Sequence, residues 1–209
     1  VGTGRDVTAV TAGDYHTCVL LDDSALKCFG DNTDGELGYG DTNNRGNTAN
    51  SMGDNLQSID LGTGRTAVKI NTGWYHSCAV LDNGDMKCWG YGSYGQLGQE
   101  SQDWKGSGPG EMGDNLLAIN LGTGRTVVEM SAGASFTCAL LDNNDLKCWG
   151  NGAFGQLGNE ATGHLGDEAG EMGDNLPAIN LGTGLHATMI ESGEIHSCAV
   201  LNTGVTKCW

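Results

Sequence analysis

The sequence of 209 residues carries 26 acidic and 10 basic residues, which give a formal net charge of −16. This excess of negative charge argues against nucleic acid as a partner, and no apolar stretch is long enough for membrane insertion. The chain has 36 glycines and only two prolines without a collagen-like period, so we expect many tight turns between short strands.

The chain is built from a sequence repeat with a period of 60 residues. Eight cysteines recur at two fixed positions of the repeat, and the segment LGTG begins at residues 61, 121 and 181. The predicted domains are therefore repeat 1 at 1–60, repeat 2 at 61–120, repeat 3 at 121–180 and a partial repeat 4 at 181–209.

Repeat 2, taken in chain order, predicts a series of short strands. Residues 66–72 alternate polar and apolar, residues 77–82 form a short apolar run, and residues 85–89 return after the hairpin signal Asn83-Gly84. Two loops then lead to a short helical turn after Gly113, and residues 115–121 predict a fourth strand. The predicted fold class is all-β, with four antiparallel strands per repeat that form a propeller blade or a turn of a β-solenoid.

Each repeat has one cysteine on either side of the predicted hairpin turn, where antiparallel pairing brings facing Cα atoms within disulfide range. We expect four disulfides within repeats: Cys18–Cys28, Cys78–Cys88, Cys138–Cys148 and Cys198–Cys208. Eight reduced, buried cysteines are the alternative, whereas a zinc site would need four converging ligands, which two cysteines per repeat do not supply. Regular pairs favour an oxidising compartment, so the predicted location is extracellular or at the cell surface.

Other residues recur in phase with the cysteines. One aromatic set follows the second cysteine and is interpreted as blade-to-blade packing: Phe29, Trp89, Trp149 and Trp209. A histidine set has Phe136 in its third place, which favours packing at blade junctions over catalysis or metal binding: His16, His76 and His196. A lysine set alternates to the other face, where we expect pairing with acids of a neighbouring blade: Lys27, Lys87, Lys147 and Lys207.

The sequence shows no set of residues that predicts catalysis, so we expect neither an enzyme nor a cofactor. Calcium is an alternative use for the recurring Asp54, Asp114 and Asp174, but capping of a backbone N–H is the favoured interpretation. The repeats differ most in their long polar loops, which places recognition or assembly there. Trp104 lies in such a loop and is either a contact residue or a ring lying flat on its own blade.

The segments GDYHTCVLLDDSALKCFGDNTDGELGYGD (13–41), GWYHSCAVLDNGDMKCWGYGSYGQLG (73–98) and GASFTCALLDNNDLKCWGNGAFGQLG (133–158) resemble the repeat of the regulator-of-chromosome-condensation family, and residues 193–209 resemble its first half. The cysteine-rich form resembles secreted bacterial and algal members. The resemblance implies a β-propeller of four-stranded blades. Well-known members have seven blades, so about 3.5 repeats would form half of such a ring or part of a longer array.

These observations together predict a non-enzymatic, extracellular structural scaffold. We expect a disulfide-linked propeller that self-assembles, for example into a filament at the cell surface. The alternative is a surface propeller that binds a protein or a glycan. The expected partners are copies of the same chain or the remainder of a longer repeat chain, with no nucleic acid and no membrane insertion.

Overall fold

The computed structural model describes residues 1–209 and contains twelve β-strands, three in each repeat. In repeats 1 and 2 the strands are β1 (Val7–Ala12), β2 (His16–Leu21), β3 (Leu26–Gly30), β4 (Ala67–Thr72), β5 (His76–Leu81) and β6 (Met86–Gly90). In repeats 3 and 4 they are β7 (Val127–Ala132), β8 (Phe136–Leu141), β9 (Leu146–Gly150), β10 (Ala187–Ser192), β11 (Ser197–Leu201) and β12 (Thr206–Cys208). The prediction of an all-β chain is confirmed.

The chain divides into two compact units. Unit 1 comprises Val1–Tyr91 and Asp103–Ala118, and it contains the sheets β1-β2-β3 and β4-β5-β6. Unit 2 comprises Gly92–Gln102 and Ile119–Trp209, and it contains the sheets β7-β8-β9 and β10-β11-β12. Each unit has its own apolar core, which in unit 1 includes Leu26, Leu81 and Trp89 and in unit 2 includes Leu146 and Ile190.

Every sheet is a meander of three antiparallel strands in the same register. The two cysteines of a repeat face each other across the second and third strands, as in the pair Cys78 and Cys88. The turn between these strands requires a left-handed residue, which is Gly84 in repeat 2, with φ of 83°, and Asn144 in repeat 3, with φ of 69°. Glycine and asparagine adopt this conformation most readily, which explains the hairpin signal in the sequence.

The expected fourth strand of each repeat is not confirmed, because each sheet has three strands. A 3-10 turn forms at Gly53–Asn55, Gly113–Asn115 and Gly173–Asn175, as expected, but the segment after each turn does not join the sheet as a further strand. In repeat 1 this segment buries Leu56, Ile59 and Leu61, and the Ile59 N–H donates to Leu26 O at 2.8 Å. The buried positions are three and two residues apart rather than strictly alternate, so side-chain burial holds this segment in place of a hydrogen-bonded ladder.

The recurring lysines close each repeat on itself. Lys147 Nζ donates to Leu121 O at 2.9 Å and to Gly173 O at 2.8 Å, so it joins the beginning of repeat 3 to its 3-10 turn. Lys87 makes the same two bonds, both at 2.9 Å, to Leu61 O and Gly113 O. The expected pairing of these lysines with acids of a neighbouring blade is not found, because the Nζ of Lys87 and of Lys147 donates to two main-chain carbonyls of its own repeat instead.

The recurring aspartates make a second closure at the same place. The Asp114 carboxylate accepts the Thr63 N–H at 2.7 Å and the Thr63 hydroxyl at 2.6 Å. These bonds hold the pKa of Asp114 below its usual range. Asp54 and Asp174 bind Thr3 and Thr123 in the same way. The carboxylate therefore caps a backbone N–H as expected, but the N–H belongs to a turn 51 residues earlier rather than to the adjacent 3-10 turn.

Candidate functional site

The structure contains four disulfides, each within one repeat: Cys18–Cys28, Cys78–Cys88, Cys138–Cys148 and Cys198–Cys208. The Cα atoms of each pair are 4.1 Å apart, and no cysteine is free. The cysteines of the first three pairs are buried, whereas Cys208 is exposed. The disulfides thus link the two strands of each hairpin and use every thiol of the chain.

The phased aromatic residues lie beneath the glycine-rich loops. Trp89 and Trp149 are fully buried, and their indole N–H groups donate to Glu36 O at 3.0 Å and Gln96 O at 3.1 Å. Trp209 donates to Gln156 O at 3.0 Å but is only partly buried, as is Phe29. Each tryptophan thereby anchors a loop that belongs to the preceding repeat.

The histidine set does not share one environment. His16 and His76 are buried, and Phe136 occupies the same place in repeat 3, but His196 is exposed. The packing role expected for His196 stays a prediction, because no residue among 1–209 lies against it as Ser77 lies against His16. Ser77 Oγ donates to Glu36 O at 2.8 Å and so accepts the Nε2–H of His16, also at 2.8 Å. Burial lowers the pKa of His16 to about 4 and that of His76 to about 3, so both rings are neutral.

Trp104 is 38% exposed and contacts Tyr91, with the ring centroids 5.0 Å apart and the planes at 52°. The ring thus rests on its own repeat and is also partly exposed to solvent. The ring centroid of Tyr75 lies 6.4 Å from that of Tyr91, 5.8 Å from that of Tyr15 and 6.3 Å from that of Trp74. We call these five side chains, all in unit 1, the aromatic surface.

Backbone hydrogen bonds bring the aromatic surface together. Tyr15 lies in the turn between β1 and β2, and Trp74 and Tyr75 lie in the equivalent turn between β4 and β5. The residue after each third strand donates to this turn, as in the bond of 2.9 Å from Tyr91 N–H to Tyr75 O. The loop that carries Trp104 is held by Gly90 and Lys105, which exchange two backbone bonds of 2.7 and 3.1 Å.

Acidic residues border the aromatic surface. Burial and the phenol of Tyr15, followed by Asp14 and Asp34, raise the pKa of Tyr75, which places both carboxylates near its ring. Burial, with the charge of Asp31 added, raises the pKa of Asp34. None of Asp14, Asp31 and Asp34 forms an ion pair. The border therefore carries uncompensated negative charge.

Glu36 lies under this border with no exposed surface. Its Oε2 accepts the Asp34 N–H at 2.9 Å, and its Oε1 has no partner. Burial is the main cause that raises the pKa of Glu36 to about 7, and the nearby Asp31 and Asp34 raise it further. The other complete repeats have a glutamine at this place, Gln96 or Gln156.

Sequence reasoning selected Trp104 but missed the three tyrosines of the aromatic surface. The missed signal is positional: Tyr15 and Tyr75 directly precede the phased histidine, and Tyr91 directly follows the Lys-Cys-aromatic-Gly segment. In unit 2 the turn before β8 has Ala134 and Ser135, so that unit does not repeat the cluster. No group of three or more His, Cys, Asp or Glu side chains is arranged to hold a metal ion, and no helix is long and apolar enough to cross a membrane.

The sheets, their hairpin disulfides and the loops anchored by tryptophan define a class of tandem-repeat β proteins built from propeller-type blades. The model of the regulator of chromosome condensation (RCC1) repeat matches residues 7–36, 67–96 and 127–156, and a second model of this repeat matches residues 83–140. Together the two models match more than half of the chain. The chain belongs to the RCC1-repeat family, as its sequence motifs predicted.

Similar proteins differ widely in their overall organisation. The human E3 ubiquitin-protein ligase HERC2 is 28% identical over 204 residues, which are 96% of this chain but 4% of HERC2. Human WBSCR16 has a similar structure, with a TM-score of 0.75 and 20% identity over 98% of this chain and 47% of WBSCR16. The ectodomain of the Physcomitrella patens receptor kinase CR4 is also similar, with a TM-score of 0.59 and 18% identity over the whole chain and 42% of the ectodomain. The chain therefore spans less than half the length of each of these proteins.

Proposed function

We propose that this chain is part of a non-enzymatic, extracellular repeat protein that binds a partner through the aromatic surface. The observation that carries the proposal is the continuous row of rings from Tyr15 to Trp104, which lies on a rigid disulfide-linked frame. Tyrosine and tryptophan supply large contact areas at a low cost in conformational entropy, and they are enriched where proteins bind partners.

Two facts support the extracellular location. All eight cysteines are paired, and disulfides of this kind persist in oxidising compartments. The similar structure of CR4 is a receptor ectodomain. Peptide mapping of native protein recovered from outside the cell, performed without reduction, should find the four pairs within repeats. Recovery of reduced protein from the cytosol would refute this location.

Binding can be tested with two immobilised panels, one of neutral oligosaccharides and one of peptides of different charge. The chain should bind at least one class saturably, and the double variant Tyr15→Ala, Trp104→Ala should lose most of this binding. Phe154→Ala is the matched control, because Phe154 is a 68% exposed aromatic residue of unit 2 outside the aromatic surface. Absence of any binding, or equal binding by the double variant, would contradict the proposal.

Self-assembly is the second candidate function, and two residues of repeat 4 favour it. His196 is exposed and Trp209 is only partly buried, whereas their counterparts His76 and Trp89 have no exposed surface. A further repeat, from the same polypeptide or from another copy, would cover both side chains. Sedimentation velocity over a range of concentrations would show growing oligomers or filaments if copies supply this cover, and a constant monomer mass if they do not.

A further inference from the structure

We propose that the aromatic surface and its acidic border bind the side-chain cations of a lysine- or arginine-rich segment of a partner protein. This inference rests on the proposed function and names the chemistry of its partner. Three observations carry it: the spacing of the rings, the charge around them and the difference between the two units.

The rings offer several faces to a cation within a short distance. Neighbouring centroids are 5.8 Å apart from Tyr15 to Tyr75, 6.4 Å from Tyr75 to Tyr91 and 5.0 Å from Tyr91 to Trp104. The planes of successive rings are tilted by 30° to 63°, so their faces point in different directions. A lysine or arginine head within about 6 Å of such a centroid is attracted by the ring quadrupole, most strongly by tryptophan. A segment with several cations can therefore use several rings of this row.

The charge at the border complements a cation and opposes an anion. Asp14, Asp31 and Asp34 have no ion-pair partner. The charge of Asp31 adds to the burial that raises the pKa of Asp34, and it opposes the burial that lowers the pKa of His16. Nearby basic side chains are already engaged: Lys27 donates to Val1 O and Gly53 O, and Lys105, which follows Trp104, lies 3.8 Å from Asp103. A neutral glycan would leave this negative charge without a counter-charge, and an acidic segment would be repelled by it. The aromatic rings alone fit several ligands, but rings together with these carboxylates favour a cationic one.

Unit 2 shows what the same frame looks like without this combination. Asn151 N–H donates to Ser135 O at 2.8 Å, the bond that Tyr91 makes to Tyr75 in unit 1, so the backbone is the same. In repeat 3 the side chains at these places are Ala134, Ser135 and Asn151, none of which is aromatic or charged, and repeat 4 has Glu194 and Ile195 but no aromatic residue in this turn. Because the backbone does not require the aromatic and acidic residues, their presence in unit 1 is explained by recognition rather than by folding.

The test uses four synthetic peptides of equal length, in which glycine alternates with lysine, arginine, glutamine or glutamate, and calorimetric titration of each into the chain. The lysine and arginine peptides should bind, the glutamine and glutamate peptides should not, and high salt should weaken binding. The variant Asp14→Asn, Asp31→Asn, Asp34→Asn should weaken binding about tenfold or more, whereas Phe154→Ala should leave it unchanged.

Two further variants separate recognition from loss of structure and from bulk charge. Tyr15→Phe keeps the ring and should bind like the unchanged chain, whereas Tyr15→Ala should bind several-fold more weakly at an unchanged melting temperature. A cation affinity that depends on salt but not on Tyr15 or Trp104 would mean attraction by the net charge of −16 alone and would overturn this inference. Binding of neutral oligosaccharides that is lost in the ring variants would overturn it as well, while the proposed binding function would stand.

Discussion

Replacement of Glu36 by glutamine should stabilise the chain, and the size of the effect should depend on pH. Glu36 is fully buried, and one of its carboxylate oxygens has no partner. Gln96 and Gln156 show that an amide fits the same place, since their Oε1 atoms accept the N–H of Tyr94 at 3.0 Å and of Phe154 at 2.8 Å. The substitution therefore keeps the hydrogen bond of 2.9 Å from Asp34 N–H and removes a buried charge.

The magnitude follows from the pKa of Glu36, which burial above all raises from 4.5 to about 7. Between these values the folded chain holds a proton that the unfolded chain has released, so stability falls as pH rises. The destabilisation is absent below pH 4.5 and complete above pH 7. At about 1.4 kcal/mol per pKa unit, the full shift corresponds to about 3 kcal/mol. The Nε2 of the new glutamine would be buried without a partner, as that of Gln96 is, and this cost reduces the expected gain of Glu36→Gln to about 1–3 kcal/mol at pH 8.

Urea unfolding with the disulfides intact, measured at pH 8 and at pH 4.5, tests this reasoning. The variant should be more stable than the unchanged chain at pH 8 and nearly equal to it at pH 4.5, where Glu36 is protonated in the folded chain and only half ionised in the unfolded chain. Gln96→Glu is the reverse control and should lower stability at pH 8. A gain of the same size at both pH values, or no gain at pH 8, would refute the account of Glu36 as a buried charge.

Three other substitutions probe the frame. His16→Phe should reduce the loss of stability on acidification from pH 6.5 to 4 by about 1–3 kcal/mol, because the folded chain keeps this ring neutral while the unfolded chain protonates it. The melting temperature, measured at several pH values, should therefore fall less on acidification in the variant, and an equal fall in both proteins would contradict this. Lys147→Met should lower the free energy of unfolding in urea by about 2–4 kcal/mol, because two buried carbonyls lose their donor. Lys207 is exposed and makes one such bond, so Lys207→Met should cost much less. Equal losses would refute the idea that these lysine bonds hold the repeat together. Replacement of both Cys138 and Cys148 by alanine should cost about 2–3 kcal/mol, seen as a lower melting temperature, and an unchanged value would show that the disulfide adds no stability.

The hairpins could be predicted from the sequence because their signals are local. A turn signal between two short apolar runs fixes which residues face each other, and the register places Cys78 opposite Cys88. The segment after each 3-10 turn has the apolar composition of a strand, but it is not part of a sheet. Its buried residues in repeat 1, Leu56, Ile59 and Leu61, are spaced to reach the core and not to present one face of a sheet. Composition alone does not distinguish these two cases.

Contacts between distant residues could not be predicted in the same way. The partners of Lys147 lie 26 residues away on both sides, and the threonine bound by Asp114 lies 51 residues earlier. A carbonyl acceptor leaves no trace in the sequence, because every residue has one. The same holds for the candidate site: Trp104 was conspicuous in a polar loop, but its contact with Tyr91 depends on the backbone bonds between Gly90 and Lys105.

Anchoring by the main chain also explains how one frame supports different surfaces. Trp89 donates to the backbone oxygen of Glu36, and Trp149 donates to that of Gln96, so the anchor does not depend on which side chain stands there. Lysine likewise binds only carbonyls of its repeat. Because the acceptors in these contacts are backbone oxygens, side chains in the turns and loops can differ between repeats while the hydrogen bonds that hold each repeat together are kept. Repeats 1 and 2 can therefore carry tyrosines and aspartates where repeat 3 has serine and asparagine, which is the condition for a binding surface confined to one unit.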